Sequence, residues 1–201
     1  MDLGSRTSRG FGAEIDLHWQ GPRVSLSFVA MTTDMNCAVC NGAKARKTCG
    51  LCESRVCKKC IETLASDAFV LLPSIPSELG HSTYCVRCYD RHVADPLCRY
   101  AELAEKAESV YFVTRDYNGY VHVMARHSER VSVEFCEDRR ITILRMAYLA
   151  AELGHNAIID AKVQSFAHNL PGGYQSSKWK ASALPATIDG EQLERTSLMR
   201  I

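Results

Sequence analysis

The sequence predicts a small zinc-stabilised cross-brace finger followed by an α+β domain, an antiparallel sheet with one main helix. Three observations predict it. Eight of the ten cysteines form four Cys-x-x-Cys pairs, Cys37/Cys40, Cys49/Cys52, Cys57/Cys60 and Cys85/Cys88. Beyond Cys88 the composition turns to ordinary globular sequence, with a change near Asp95 and Pro96. Within that remainder, a strongly apolar helical pattern from Asp138 to Leu153 stands among β-rich runs.

A two-residue gap lets both thiolates of a pair point into one tetrahedral site, and four pairs supply two four-sulfur sites with none left over. Two Zn²⁺ ions are therefore the expected cofactors. A disulfide framework would need a secreted context, and the N-terminal stretch lacks the basic, apolar, small-residue order of a secretory signal. A reducing, cytoplasmic setting is expected. Iron–sulfur spacings group the cysteines more tightly, and a redox motif needs one such pair, not four in series.

The gaps favour alternate pairing. Only Glu53, Ser54, Arg55 and Val56 separate the second pair from the third, so those two pairs belong to one compact knuckle. The 24 residues between Cys60 and Cys85 then close the second site. Site 1 is expected to hold Cys37, Cys40, Cys57 and Cys60, and site 2 Cys49, Cys52, Cys85 and Cys88. Metal replaces the core that so short a segment cannot build.

The order Cys37-x2-Cys40-x8-Cys49-x2-Cys52-x4-Cys57-x2-Cys60-x24-Cys85-x2-Cys88 resembles the FYVE and FYVE-related zinc fingers over about residues 35–95. The run from Cys49 to Cys60 and Tyr84-Cys-Val-Arg-Cys-Tyr89 carry the likeness. It implies a cross-brace fold and binding of phosphatidylinositol 3-phosphate on membranes. The family's basic motif, however, corresponds here to Ala45-Arg46-Lys47-Thr48-Cys49-Gly50, without its histidines or the arginine after cysteine. The loop 41–48 has no aromatic or large aliphatic residue to enter a bilayer. Lys44, Arg46 and Lys47 remain as candidate anion or lipid contacts. A RING-like ubiquitin ligase is a further alternative, against which stand the all-cysteine ligands and the x4 gap.

Lys44, Arg46, Lys47, Arg55, Lys58 and Lys59 outnumber the single acid Glu53 between Cys37 and Cys60. Such a patch suits an anionic partner, yet thiolate-rich zinc sites also call for nearby cations on their own account. Loading eight thiolates with two zinc ions turns the formal charge of +1 negative. Nucleic acid is therefore disfavoured as a partner, and a protein partner is expected.

Residues 96–109 are expected to form a linker helix, with Leu103, Ala104 and Ala107 on one side and Glu102, Glu105, Lys106 and Glu108 outside. The α+β domain is placed at 110–190. Val110 to Arg115 and Tyr120 to Ala125 read as strands joined by a hairpin turn at Asn118-Gly119, and Arg130 to Phe135 as another strand. In the helix Asp138 to Leu153, Asp138 or Glu137 suits the first turn, Ile141, Leu144, Met146, Ala147, Leu149 and Ala150 make the apolar face, and Gly154 is the stop. Asn156 to Ala167 and Ser177 to Ile188 read as strands around a turn at Pro171-Gly172-Gly173.

The helix, Gly154-His-Asn-Ala-Ile-Ile159, the hairpin and Trp179-Lys-Ala-Ser-Ala resemble YbjQ-like bacterial domains, which implies self-association through the C-terminal part. An enzyme is not expected. His122, His127, His155 and His168, with Asp116, Asp138, Asp160 and Cys136, form no catalytic sequence motif. Cys98 and Cys136 read as small buried hydrophobes. Residues 1–34 read as a disordered tail in which Asp16 to Met31 could add one strand, and 191–201 as a second tail. The expected function is that of a zinc-binding adaptor: the finger as a protein-binding surface, the second domain for assembly.

Overall fold

The computed structural model describes residues 36–169, 171 and 175–189. The chain divides into units Met1–Asp34 and Met35–Ile201, and every described residue belongs to the second. The expectations for residues 1–34, for Gly172 and Gly173, and for the tail 191–201 lie outside the described residues.

The cysteine-rich part is built from strand pairs too short to stand alone. Strand β1 (Lys47–Thr48) pairs antiparallel with β2 (Arg55–Val56), and β3 (Ile61–Thr63) with β4 (Thr83–Cys85). Helix α1 (Val86–His92) follows β4 directly, and the buried Val93 alone separates it from α2 (Ala94–Glu108). Asp95 and Pro96 fall in the first turn of α2, where a proline's missing N–H costs little. Ala107 is buried, while Tyr100, Leu103 and Ala104 pack against the main core, so the segment expected as a linker has a packed face.

The C-terminal part is dominated by a sheet of β5 (Tyr111–Thr114), β6 (Val123–Arg126), β7 (Val131–Cys136), β8 (Ala157–Asn169) and β9 (Gln175–Ile188). The long β8–β9 hairpin is central. Strand β5 flanks β8, while β6 and β7 lie one after the other along the far side of β9.

The sheet departs from the expected antiparallel arrangement at β5. The sheet is mixed, because β5 runs parallel to β8, with Tyr111 opposite Ala157. The Asn118-Gly119 hairpin does not form either, since β5 and β6 end on opposite sides of the central pair. The physical reason is apolar content in the connection. Tyr117 and Val121 pack on a cluster of Val113, Ala157, Ile159, Ala186 and Ile188, which draws the segment between the strands onto the sheet. Gly119 serves this packing: a Cβ there would come within 2.1 Å of the Tyr117 hydroxyl oxygen.

Alternation along the strands separates two cores. Phe112, Ile158, Ala181 and Ala183 belong to the cluster with α2 and α3, while Val113, Ala157, Ile159 and Ala186 belong to the other.

Helix α3 (Arg139–Glu152) begins and ends on its caps. Asp138 Oδ1 accepts the Ile141 N–H at 3.0 Å. At the other end Gly154, at φ 79°, lets His155 N donate to Ala150 O at 2.9 Å and Gly154 N to Ala151 O at 3.0 Å, the paired bonds of a Schellman stop. Met146, Ala147 and Ala150 are buried as expected, and Thr142, Ile143 and Tyr148 join them. Thr142 is tolerated inside because its hydroxyl donates to Asp138 O at 2.7 Å.

Candidate metal centre

The first two cysteine pairs make the same turn twice. Cys37 N donates to Gly42 O and Asn41 N to Cys37 O, both at 2.8 Å; Cys49 N donates to Ser54 O and Glu53 N to Cys49 O, both at 3.0 Å. In each turn the residue after the second cysteine is left-handed, Asn41 at φ 56° and Glu53 at φ 58°. That bend turns both thiols of a pair to one side. The fourth pair uses a helix start instead. Cys85 is the N-cap of α1, and its sulfur accepts the Cys88 N–H at 3.4 Å.

Neighbouring segments tie these turns together. Ala38 N donates to Arg55 O at 3.0 Å, Gly50 N to Thr83 O at 2.8 Å, and Thr83 Oγ1 to Thr48 O at 3.2 Å. Arg87 of α1 reaches back to Val39 O at 3.4 Å. Gly50 lies so close to His81 that a Cβ would stand 2.6 Å from the histidine Cβ.

The structure brings Cys37, Cys40, Cys57 and Cys60 into one group and Cys49, Cys52, Cys85 and Cys88 into another, with all four sulfurs of each group within 4.8 Å of one another. The groups interleave along the chain, first pair with third and second with fourth, in a cross-brace-like arrangement. Four sulfurs ~2.3 Å from a tetrahedral zinc stand ~3.8 Å apart. Cys40 and Cys57 are 3.7 Å apart, Cys52 and Cys85 3.9 Å. All eight thiols are free, and each group could hold one zinc ion.

The electrostatics fit a cation. Burial pushes the Cys37 thiol up, but backbone N–H groups of Cys57, Cys40 and Val39 outweigh it and hold the pKa at about 6. Cys57 N–H lies 3.3 Å from that sulfur. In the same group burial and the neighbouring sulfurs of Cys40, Cys57 and Cys37 push Cys60 up to about 12. In the second group Ser54 draws Cys52 down to about 6, while burial raises Cys85 and Cys88. Adjacent thiolates cannot all ionise unaided, and a divalent ion is what would relieve their repulsion.

Lys44, Arg46 and Lys47 are exposed on the segment between the first two pairs, and Lys44 itself is left-handed at φ 76°. Arg55, Lys58 and Lys59 are exposed as well.

The histidines and acids of the C-terminal part are dispersed to separate tasks. His127 and His155 stack edge to face with ring centroids 5.8 Å apart, and His155 Nδ1 is 3.0 Å from Thr187 Oγ1. Asp138 caps α3, and Asp160 takes the guanidinium of Arg130. Cys136 is buried as expected, with Arg145 Nη1 3.3 Å from its sulfur. Cys98 is not buried: it is exposed on α2, 3.9 Å from Glu102 Oε1, because α2 turns its Leu103 and Ala107 side to the core.

Fold and site together define a candidate double-zinc protein, a cysteine-rich region with two metal-competent quartets joined to a sheet-dominated part. Neither protein-family models, nor curated proteins, nor solved structures match this chain. Among the described residues no helix is long and apolar enough to cross a membrane.

Proposed function

We propose that this chain is a zinc-binding adaptor in which a FYVE-like finger presents a basic surface to a protein partner. The observation that carries the reading is the pair of interleaved sulfur quartets at tetrahedral spacing. A zinc ion held by four thiolates keeps no open position for water or substrate, so such metals build structure rather than catalyse. Around them Lys44, Arg46, Lys47 and Arg55 are exposed and available to an acidic surface. The same exposed cations favour a second reading, a phosphoinositide headgroup, although the loop that carries them has no apolar tip to enter a bilayer.

Affinity capture with the full chain tests the proposal. Zinc-loaded protein should retain partner proteins that a Lys44→Glu/Arg46→Glu/Lys47→Glu variant and chelator-treated protein both lose. Capture that is indifferent to both changes contradicts it. Co-sedimentation with phosphoinositide vesicles that the triple variant abolishes would support the lipid reading instead.

A further inference from the structure

The β8–β9 hairpin is longer than the strands beside it. Strand β5 accompanies β8 only as far as Ala161, opposite Thr114. Beyond that point β8 runs on to Asn169, paired with β9 on one side and, among the described residues, with no strand on the other. The Ala161 carbonyl accepts from Arg115 N at 3.0 Å, so it points to the β5 side. Backbone groups alternate sides along a strand, and those of Val163, Ser165 and Ala167 therefore face the same open side.

Sheet edges in proteins are normally blunted by charge, proline or a bulge. The turn away at Asp160, left-handed at φ 51°, and the side chain of Lys162 do this only where β5 ends. The seven residues Val163 to Asn169 carry no acidic or basic side chain other than His168 and no proline, and their pairing with β9 is regular. Such an edge can accept another strand.

Beside it, where β5 stops, lies a cleft of 310 Å³. Phe112, Ala161 and Val163 supply its apolar part, while Arg115, Arg139 and Lys162 line it with the carboxylate of Asp116. Arg115 is held in an ion pair with Asp160 at 3.6 Å, which leaves Arg139 and Lys162 as the cations facing a partner. Arg139 comes from the first turn of α3 and Lys162 projects, by alternation, to the face opposite Val163. Positive charge thus flanks both faces of the open edge. A strand added there would send its side chains alternately to those two faces.

We propose that the open edge of β8 receives an extended acidic segment of another protein, which adds as a strand in line with β5 and is selected by Arg139 and Lys162. Backbone hydrogen bonds supply the attachment and the cations supply the choice of partner. This surface is distinct from the cysteine quartets, and the proposal does not rest on the reading of the finger.

Fluorescein-labelled decapeptides of alternating valine and glutamate, or alternating valine and lysine, titrated into the full chain and followed by anisotropy, test it. The glutamate peptide should bind at least tenfold more tightly than the lysine peptide. Arg139→Glu should weaken it at least fivefold, as should Ser165→Pro, which removes one outward N–H at a position where an edge strand tolerates proline. A glutamate peptide N-methylated at every residue keeps its charge but loses the backbone donors of both edges, and should bind at least tenfold more weakly to the unaltered protein. Equal binding of the acidic and basic peptides, no binding, or indifference to N-methylation would overturn the proposal. So would sedimentation of the chain as a dimer that Ser165→Pro converts to monomer, because a second copy would then occupy the edge.

Discussion

Arg145 of α3 donates its Nε–H to the carbonyl of Val70 at 2.8 Å, joining the segment between the third and fourth cysteine pairs to the sheet-dominated part. Nearby, Leu71 N donates to Tyr100 Oη at 3.2 Å, and Leu71 is buried in the cluster that contains Met146 and Ile158. The rings of Phe69, Tyr100 and Tyr148 meet in series, with centroids 5.1 and 5.4 Å apart. The loop that closes site 2 is therefore also a wall of the main core.

Arg145→Ala should lower stability by about 1–3 kcal/mol, the cost of leaving a partly buried carbonyl without a charged donor. Urea unfolding would measure it. Zinc content should stay at two ions per chain in this variant, since Arg145 touches neither quartet.

Glu53 adopts a left-handed backbone that a side chain with a Cβ resists. Glu53→Gly should raise the thermal midpoint of the zinc-loaded protein, corresponding to about 1 kcal/mol. Gly50→Ala should act in the opposite sense, because its Cβ would drive into His81 and push the second turn away from β4. Differential scanning calorimetry of the two variants side by side would show whether the signs differ as stated.

Burial, and then the neighbouring His127, lowers the pKa of His155 from its ordinary value of 6.5. The unfolded chain consequently binds a proton that the folded one resists. Stability from this group is present above pH 6.5 and falls as the pH drops through the lowered folded value. Unfolding between pH 7.5 and pH 5 should show a loss that His155→Gln reduces. An unchanged pH profile in that variant would contradict the assignment.

Much of this arrangement is legible in the residues. The x4 gap between Cys52 and Cys57 leaves too little chain for the second and third pairs to lie far apart, and Asp138 with Gly154 marks both ends of α3. The sheet order is less legible. Asn118-Gly119 is a local hairpin signal, but where β5 goes is decided by the burial of Tyr117 and Val121 and by the length of the β8–β9 hairpin. The joint between the two parts escapes a reading by segments as well. Nothing local in Val70 or Arg145 announces a contact across 75 residues. The clamp of Asn156 on Ile188, with Nδ2 to O at 3.0 Å and N to Oδ1 at 2.9 Å, is equally a tertiary fact.

Interleaving of the four cysteine pairs into two quartets fixes how many metal ions the chain can hold and which cysteines share each one. Elemental analysis of the purified full chain, with Cys37→Ser and Cys85→Ser beside it, tests this most directly. Two zinc ions per chain are expected, with one lost in each variant and both lost in the double variant. A single zinc per chain, or iron with a charge-transfer absorption spectrum, would contradict it.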